Sequence, residues 1–123
     1  MKQAAYAIVL TIATALSFQL IADKKAKTTK KKQVIAIVNK MVNQKKTWVS
    51  SHNTIAKNQP TELVLVNTLD APHGFEIKKV LKPIVLLPHE TKKITLAPMA
   101  KSQNLVISCH MHPAHVGTSI AIR

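Results

Sequence analysis

From residue 33 onward, short apolar runs alternate with clusters of Asn, Pro, His and Lys. The runs are rich in Val, Ile and Leu, and β-branched residues at alternating positions suit a pleated, half-buried surface. Short strands separated by turn residues at close intervals are typical of an antiparallel β-sandwich or barrel. We therefore predict an all-β domain with strands at 34–38, 47–49, 61–67, 74–79, 92–97, 104–109 and 118–123.

The first of these strands has an alternative interpretation. Val34, Val38, Met41, Val42 and Lys45 also fit the spacing of one helix face. The prolines favour the sandwich, because all of them fall between the predicted strands, where a missing N–H costs no ladder hydrogen bond. They stand at positions 60, 72, 83, 88, 98 and 113.

The N-terminal segment differs from the rest of the chain. Residues 1–22 carry one charge, Lys2, followed by an uncharged, largely apolar run, which is typical of a cleaved export signal. An uncleaved membrane anchor is the alternative, since the run approaches the ~20 residues that span a bilayer. Residues 23–32, DKKAKTTKKK, indicate a flexible Lys-rich linker. We expect the domain, residues 33–123, to lie in the periplasm or elsewhere outside the cytoplasm.

The charge of the chain restricts its partners. Its 123 residues have room for one domain, and Lys+Arg 18 against Asp+Glu 5 give a formal net charge of +13. Such a surface attracts anionic partners, either an acidic redox protein or an anionic membrane surface. We expect no nucleic-acid binding, because aromatic residues for base stacking make up only 3% of the chain and no recognition motif is visible.

Candidate chemistry is concentrated near the C-terminus. Cys109 is followed by histidines at positions 110, 112 and 115, and a thiolate with several imidazoles favours copper or zinc over hard cations. A single cysteine forms no internal disulfide, so metal ligation is the role that its neighbours support. His73 follows the predicted strand 61–67. It can meet the Cys109 loop if both connections lie at one end of a sandwich.

These segments resemble the cupredoxins over residues 47–123. The resemblance rests on Val66-Asn67, on His73-Gly74-Phe75, on Pro88-His89-Glu90-Thr91 where the family usually has Pro-Gly-Glu-Thr, and on Cys109-x-x-His112 before a last strand. It implies a Greek-key β-sandwich that holds one copper ion through His73, Cys109 and His112 in a trigonal plane, with a weaker axial ligand.

The axial position departs from the blue-copper pattern. The usual Met is replaced by His115, and Met111 is the second choice for this ligand. The loop, Cys-x-x-His-Pro followed by another His, is similar to that of nitrosocyanin, a red-copper cupredoxin, although His73 stands where that protein has Glu. The segment His73-Gly74-Phe75 also resembles the dinuclear copper domain of cytochrome c oxidase subunit II. A dinuclear site needs two cysteines, so we expect a mononuclear one.

The remaining candidates have simpler interpretations. His110 points away from Cys109 on an extended backbone, which favours a solvated role or a contact with a ligand over direct ligation. His52 and His89 are expected at the surface, and Trp48 and Phe75 are expected in the core.

The expected function is one-electron transfer by an exported mononuclear copper protein, with an acidic redox protein as its partner. The alternatives are a periplasmic copper carrier with a copper donor or acceptor as partner, a nitrosocyanin-like redox site for a small ligand, and a structural zinc site. An electron carrier or metal-binding protein is favoured over an enzyme.

Overall fold

The computed structural model describes residues 31–123, which form a sandwich of two β-sheets. The predicted signal or anchor, 1–22, and positions 23–30 of the predicted linker lie outside the described residues. Within residues 31–123 the structure is all β, and it contains no helix long and apolar enough to cross a membrane. The all-β sandwich prediction is therefore confirmed. The strands are β1 Gln33–Val42, β2 Lys45–Ser50, β3 Thr54–Ile55, β4 Thr61–Asn67, β5 His73–Ile77, β6 Leu81–Leu86, β7 Thr91–Leu96, β8 Gln103–Ser108 and β9 Thr118–Ile122.

Both sheets are mixed, which corrects the expectation of a purely antiparallel sandwich. The strand orders are β2-β1-β4-β7 and β3-β9-β8-β5-β6. β1 runs parallel to β4, and β3 runs parallel to β9. A parallel neighbour requires a crossover, and here the chain leaves the first sheet for β3 before it returns as β4. As a result, β1 and β4 run in the same direction and finish at the same end of the sandwich, and the chain continues from there to His73.

β1 is a strand of ten residues, longer than predicted, and the helical alternative is wrong. It pairs with β2 on one side and with β4 on the other. Burial follows a period of two, with Ile35, Ile37 and Asn39 facing the interior. The apolar residues at helical spacing do not form one buried face, because Val34, Met41 and Val42 are exposed.

β6 and the short β3 were not predicted. β6 contains Pro83. The sequence predicts a loop at this proline, because proline lacks the N–H of a ladder hydrogen bond. β6 is an edge strand that pairs only with β5, so one side of it needs no donor. Pro83 is thus compatible with a strand in this place.

The hairpin between β1 and β2 has two residues in its turn. Asn43 has φ 48° and Gln44 has φ 63°, so both lie in the left-handed region that a type I′ turn requires. This turn sets the register in which Val42 pairs with Lys45 and Met41 pairs with Lys46.

The core lies between the sheets and includes two aromatic side chains. Trp48 and Phe75 are buried, as predicted, and their rings meet edge to face with centroids 5.2 Å apart. Each fully buried Leu or Ile contributes about 1.5–3 kcal/mol, so the interior supports the fold without a disulfide. The other buried apolar residues are Ile35, Ile37, Ile55, Leu63, Leu65, Ile77, Leu86, Leu96, Leu105, Ile107, Cys109, Ile120 and Ile122.

The turn geometry leads to a stability prediction. Gln44→Gly should raise the free energy of unfolding by about 0.5–1 kcal/mol, because the strain of a left-handed Cβ exceeds the added entropy of the unfolded chain. Urea unfolding of the metal-free protein measures the change. Gln44→Ala keeps the Cβ and serves as the control, so an equal gain from alanine would contradict the explanation.

Candidate metal centre

The connection before β5 presents His73 and is organised by the buried side chain of Asn67. The Asn67 amide Nδ2 donates hydrogen bonds to the carbonyl oxygens of Ala71 (2.8 Å) and Leu87 (3.0 Å). Its Oδ1 accepts the Leu69 N–H at 3.1 Å. One amide therefore links the end of β4 to the β4–β5 connection and to the β6–β7 connection. β5 then begins at His73.

Cys109 follows β8 directly and is 6% exposed. Its Sγ accepts a hydrogen bond from the Gly74 N–H at 3.3 Å. β5 and β8 are antiparallel neighbours in one sheet, so the start of β5 lies beside the end of β8. This pairing brings His73, the first residue of β5, close to Cys109, which directly follows the last residue of β8.

His112 and His115 are the ends of a tight turn. The His115 N–H donates to the His112 carbonyl oxygen at 3.0 Å, and Pro113 occupies the position after His112 that proline favours in type I and II turns. The turn places the two imidazoles side by side, with ring centroids 4.4 Å apart and planes 25° from parallel. The spacing His-Pro-x-His is therefore a local signal for paired imidazoles.

The structure brings together the four predicted ligands. His73, Cys109, His112 and His115 each offer one donor atom, and these atoms all lie within 4.8 Å of one another. Cys109 Sγ is 3.5 Å from His112 Nδ1. The His73 ring centroid is 5.3 Å from that of His112 and 4.8 Å from that of His115.

Burial leaves part of this cluster without protein partners. Both ring nitrogens of His73 and the Nδ1 of His115 are buried and have no hydrogen-bond partner within residues 31–123. Buried polar atoms are paired in the great majority of cases, so orphaned imidazole nitrogens beside a thiol point to an absent partner. A thiolate and three imidazoles fit a soft or borderline transition metal, either copper or zinc.

The electrostatics of the cluster favour neutral imidazoles. Burial, followed by the charges of His115, Lys46 and His112, lowers the pKa of His73 to about 4. Burial also lowers the pKa of His115, with further contributions from His112 and Lys46. Both rings are thus unprotonated at neutral pH and keep a lone pair available for a metal ion.

β2 holds the far end of the metal loop. The Trp48 N–H donates to the Val116 carbonyl oxygen, and the Val116 N–H donates to the Lys46 carbonyl oxygen, both at 3.0 Å. The Trp48 indole N–H donates to the Gly74 carbonyl oxygen at 3.2 Å. This contact cannot be predicted from the sequence, because residues 46–48 and 116 belong to segments with no shared motif.

The other predicted positions lie around the cluster. His110 is exposed, with its ring against Gly74, and Met111 is 42% exposed. His52 is at the surface, where its Nδ1 lies 2.9 Å from Ser51 Oγ. His89 is also exposed, and its Nε2 lies 2.7 Å from Asp70 Oδ1. His89 has φ 57°, a left-handed conformation, at the position where the cupredoxin pattern has glycine.

Two glycines at the site allow a comparison of steric constraints. A Cβ at Gly117 would lie 2.1 Å from the Ile107 carbonyl oxygen, so Gly117→Ala should lower the free energy of unfolding by about 1–3 kcal/mol. A Cβ at Gly74 would lie 2.5 Å from the His110 ring, and that exposed side chain can swing into solvent. Gly74→Ala is therefore the milder control in urea unfolding. A larger loss from Gly74→Ala would contradict this assignment.

Comparisons with known proteins identify the fold. No protein-family profile and no curated protein matches the chain. Among solved structures, the multicopper oxidase McoA from the hyperthermophile Aquifex aeolicus superposes with a TM-score of 0.60 at 16% identity, over 77% of this chain and 30% of that one. A heme-copper terminal oxidase gives 0.61 at 14% identity, over 80% of this chain and 68% of that one. A multicopper oxidase from Pediococcus acidilactici gives 0.50 at 15%, over 74% and 25%.

These structures share the sandwich with the chain. The chain spans less than a third of either multicopper oxidase. At such low identities the likeness establishes the fold, and the similarity of the metal loop to nitrosocyanin stays a prediction. Residues 31–123 thus form a β-sandwich of the cupredoxin-like type found as domains in these oxidases.

Proposed function

We propose that the protein binds one copper ion through His73, Cys109, His112 and His115 and transfers one electron between partners outside the cytoplasm. The observation that carries the proposal is the convergence of four donor atoms within 4.8 Å. Three buried imidazole nitrogens of this cluster have no hydrogen-bond partner in the part of the chain that the structure describes.

The donor set supports copper. Soft thiolate with imidazole suits copper, and the affinity order of divalent metals places copper above zinc. When bound, copper would supply a couple between Cu(II) and Cu(I). The protein would contribute a thiolate that accepts the Gly74 N–H, and imidazoles held by a strand start and a turn. Because these donors are already close together, a change of charge at the site requires little movement of the protein.

His115 is the better candidate for the fourth ligand. It stacks on His112 and belongs to the four-donor cluster, whereas Met111 is 42% exposed. An imidazole is a stronger donor than a thioether and stabilises Cu(II). We therefore propose that copper held by these four donors would have a lower reduction potential than copper in a site with methionine as the fourth donor.

Charge supports an acidic redox partner. The formal net charge of +13 steers association with an anionic surface and makes its rate sensitive to salt. The apolar segment 1–22 supports export, either by a cleaved signal or with a retained anchor. Contact with an anionic membrane surface is compatible with the same charge.

A second candidate function is a redox site that also binds a small ligand. A pocket of about 260 Å³ lies beside the cluster and is lined by Cys109 and His115 together with Glu76, Lys78 and His110. Such an opening would admit a small molecule to the side of the metal. Addition of nitric oxide or azide to the copper protein tests this alternative, because binding at the metal would change the copper absorption bands.

The proposed function predicts a coloured copper protein. Titration of the purified full-length chain with Cu(II) should produce intense thiolate-to-copper charge-transfer bands that bleach on reduction and return on oxidation. Cys109→Ser should remove the bands, because the thiolate is the electron donor in that transition. His52→Ala removes a surface histidine away from the cluster and should leave them unchanged.

The same titration separates the alternatives. Copper retained through repeated cycles in the presence of a soluble Cu(I) chelator supports an electron carrier, whereas release of Cu(I) to the chelator supports a copper carrier. A protein that binds Zn(II) tightly and gives no thiolate-to-copper bands would overturn the electron-transfer proposal.

The fourth ligand has its own prediction. His115→Met should shift the charge-transfer bands toward the blue-copper pattern and raise the reduction potential, because a weak axial donor stabilises Cu(II) less. Met111→Leu is the matched control and should leave both quantities unchanged. If only Met111→Leu alters the spectrum, Met111 and not His115 is the axial ligand.

A further inference from the structure

We propose that Lys46 sets the charge balance of the metal centre: its ammonium group favours a monovalent over a divalent metal ion and so raises the reduction potential. This inference rests on the proposed function, since it concerns the same four-donor cluster. It assigns a role to a residue that carries no metal-binding chemistry of its own.

The hairpin geometry directs Lys46 toward the site. The two-residue turn at Asn43 and Gln44 fixes the register, and side chains then alternate between the two faces of β2. Lys46 shares its face with Trp48, which is buried and whose indole N–H is bonded to the Gly74 carbonyl oxygen beside His73. Lys45 stands on the opposite face and is exposed.

Lys46 is also attached to the metal loop through its backbone. Its carbonyl oxygen accepts the Val116 N–H at 3.0 Å, and Val116 directly follows His115. The Lys46 side chain is half-buried, so solvent screens its charge less than that of a fully exposed lysine. Burial is the largest cause of the lowered pKa of His73 and His115, and the charge of Lys46 is a smaller contribution to both, which agrees with a position near these two ligands.

Within residues 31–123 no ion pair joins Lys46 to a carboxylate, although Glu76 lines the pocket beside Cys109 and His115. The four acidic side chains described are engaged elsewhere: Glu62 with Lys32, Asp70 with His89, Glu90 with Lys92 and Glu76 with the Ser108 hydroxyl. A cation at a site that loses one positive charge on reduction stabilises the reduced form, because the repulsion falls when Cu(II) becomes Cu(I). Lys46 thus opposes the preference for Cu(II) that a fourth imidazole creates.

The test compares Lys46→Met with Lys45→Met in the full-length copper protein. Both variants remove one charge from the same strand, but only Lys46 lies on the face of β2 that carries the buried Trp48. Lys46→Met should raise the ratio of Cu(II) to Cu(I) affinity about fivefold to tenfold, by the Coulomb energy of one charge in an intermediate dielectric. A tenfold change lowers the midpoint potential by about 59 mV for one electron. Lys46→Arg should keep the wild-type value.

Ionic strength provides a second criterion. The shift caused by Lys46→Met should persist at about 0.5 M salt, since screening is weak for a half-buried charge, while any shift from Lys45→Met should vanish there. Equal shifts in the two variants, or no shift in Lys46→Met, would overturn the assignment.

A measurement on colourless ions separates this inference from the proposed function. In the metal-free chain, Lys46→Met should strengthen binding of Zn(II) more than binding of Cu(I), whatever the spectrum of the copper form. If that difference appears while thiolate-to-copper bands are absent, the electron-transfer proposal fails and the role of Lys46 holds. If the bands are present and the difference is absent, only the role of Lys46 fails.

Discussion

The site depends on the two main-chain hydrogen bonds that join β2 to Val116. β2 belongs to the four-stranded sheet, whereas the loop that ends at Val116 connects β8 and β9 of the other sheet. These bonds close the sandwich at one end, and Trp48 continues the closure through its bond to Gly74. Without this link between sheets, the loop that carries His112 and His115 would be attached only at its own strands.

The closed end combines an apolar interior with a polar cluster that the protein alone does not satisfy. Trp48 and Phe75 fill the space below the cluster, and Asn67 supplies the hydrogen bonds that fix the connection to His73. His73 is fully buried, and neither of its ring nitrogens has a hydrogen-bond partner among the described residues. The core and the Asn67 network hold the four donor atoms close together at this end of the sandwich.

Much of the fold could be predicted because its signals are local. The alternating residues of β4 and the turn residues between strands indicate an all-β sandwich, and His112-Pro113-x-His115 indicates paired ligands. Other features depend on partners distant in sequence. Pro83 is acceptable in β6 because that strand lies at an edge, and the parallel pairing of β1 with β4 follows from a crossover through the other sheet. Lys46 shares a strand face with the buried Trp48, which becomes apparent only once β2 is known to begin at Lys45 and not at residue 47.

The register of the β1–β2 hairpin makes the turn at Asn43 and Gln44 a remote determinant of which β2 side chains face the interior of the sandwich. Side chains alternate along β2, so a turn longer or shorter by one residue would exchange the two faces of the strand relative to β1. Such a change would exchange Lys46 for Lys45 on one face of the strand, and it would turn Trp48, which is buried and bonded to the Gly74 carbonyl oxygen, to the other face. The length of this surface turn is therefore constrained by the packing of Trp48 against Phe75 in the core as well as by the pairing of the two strands.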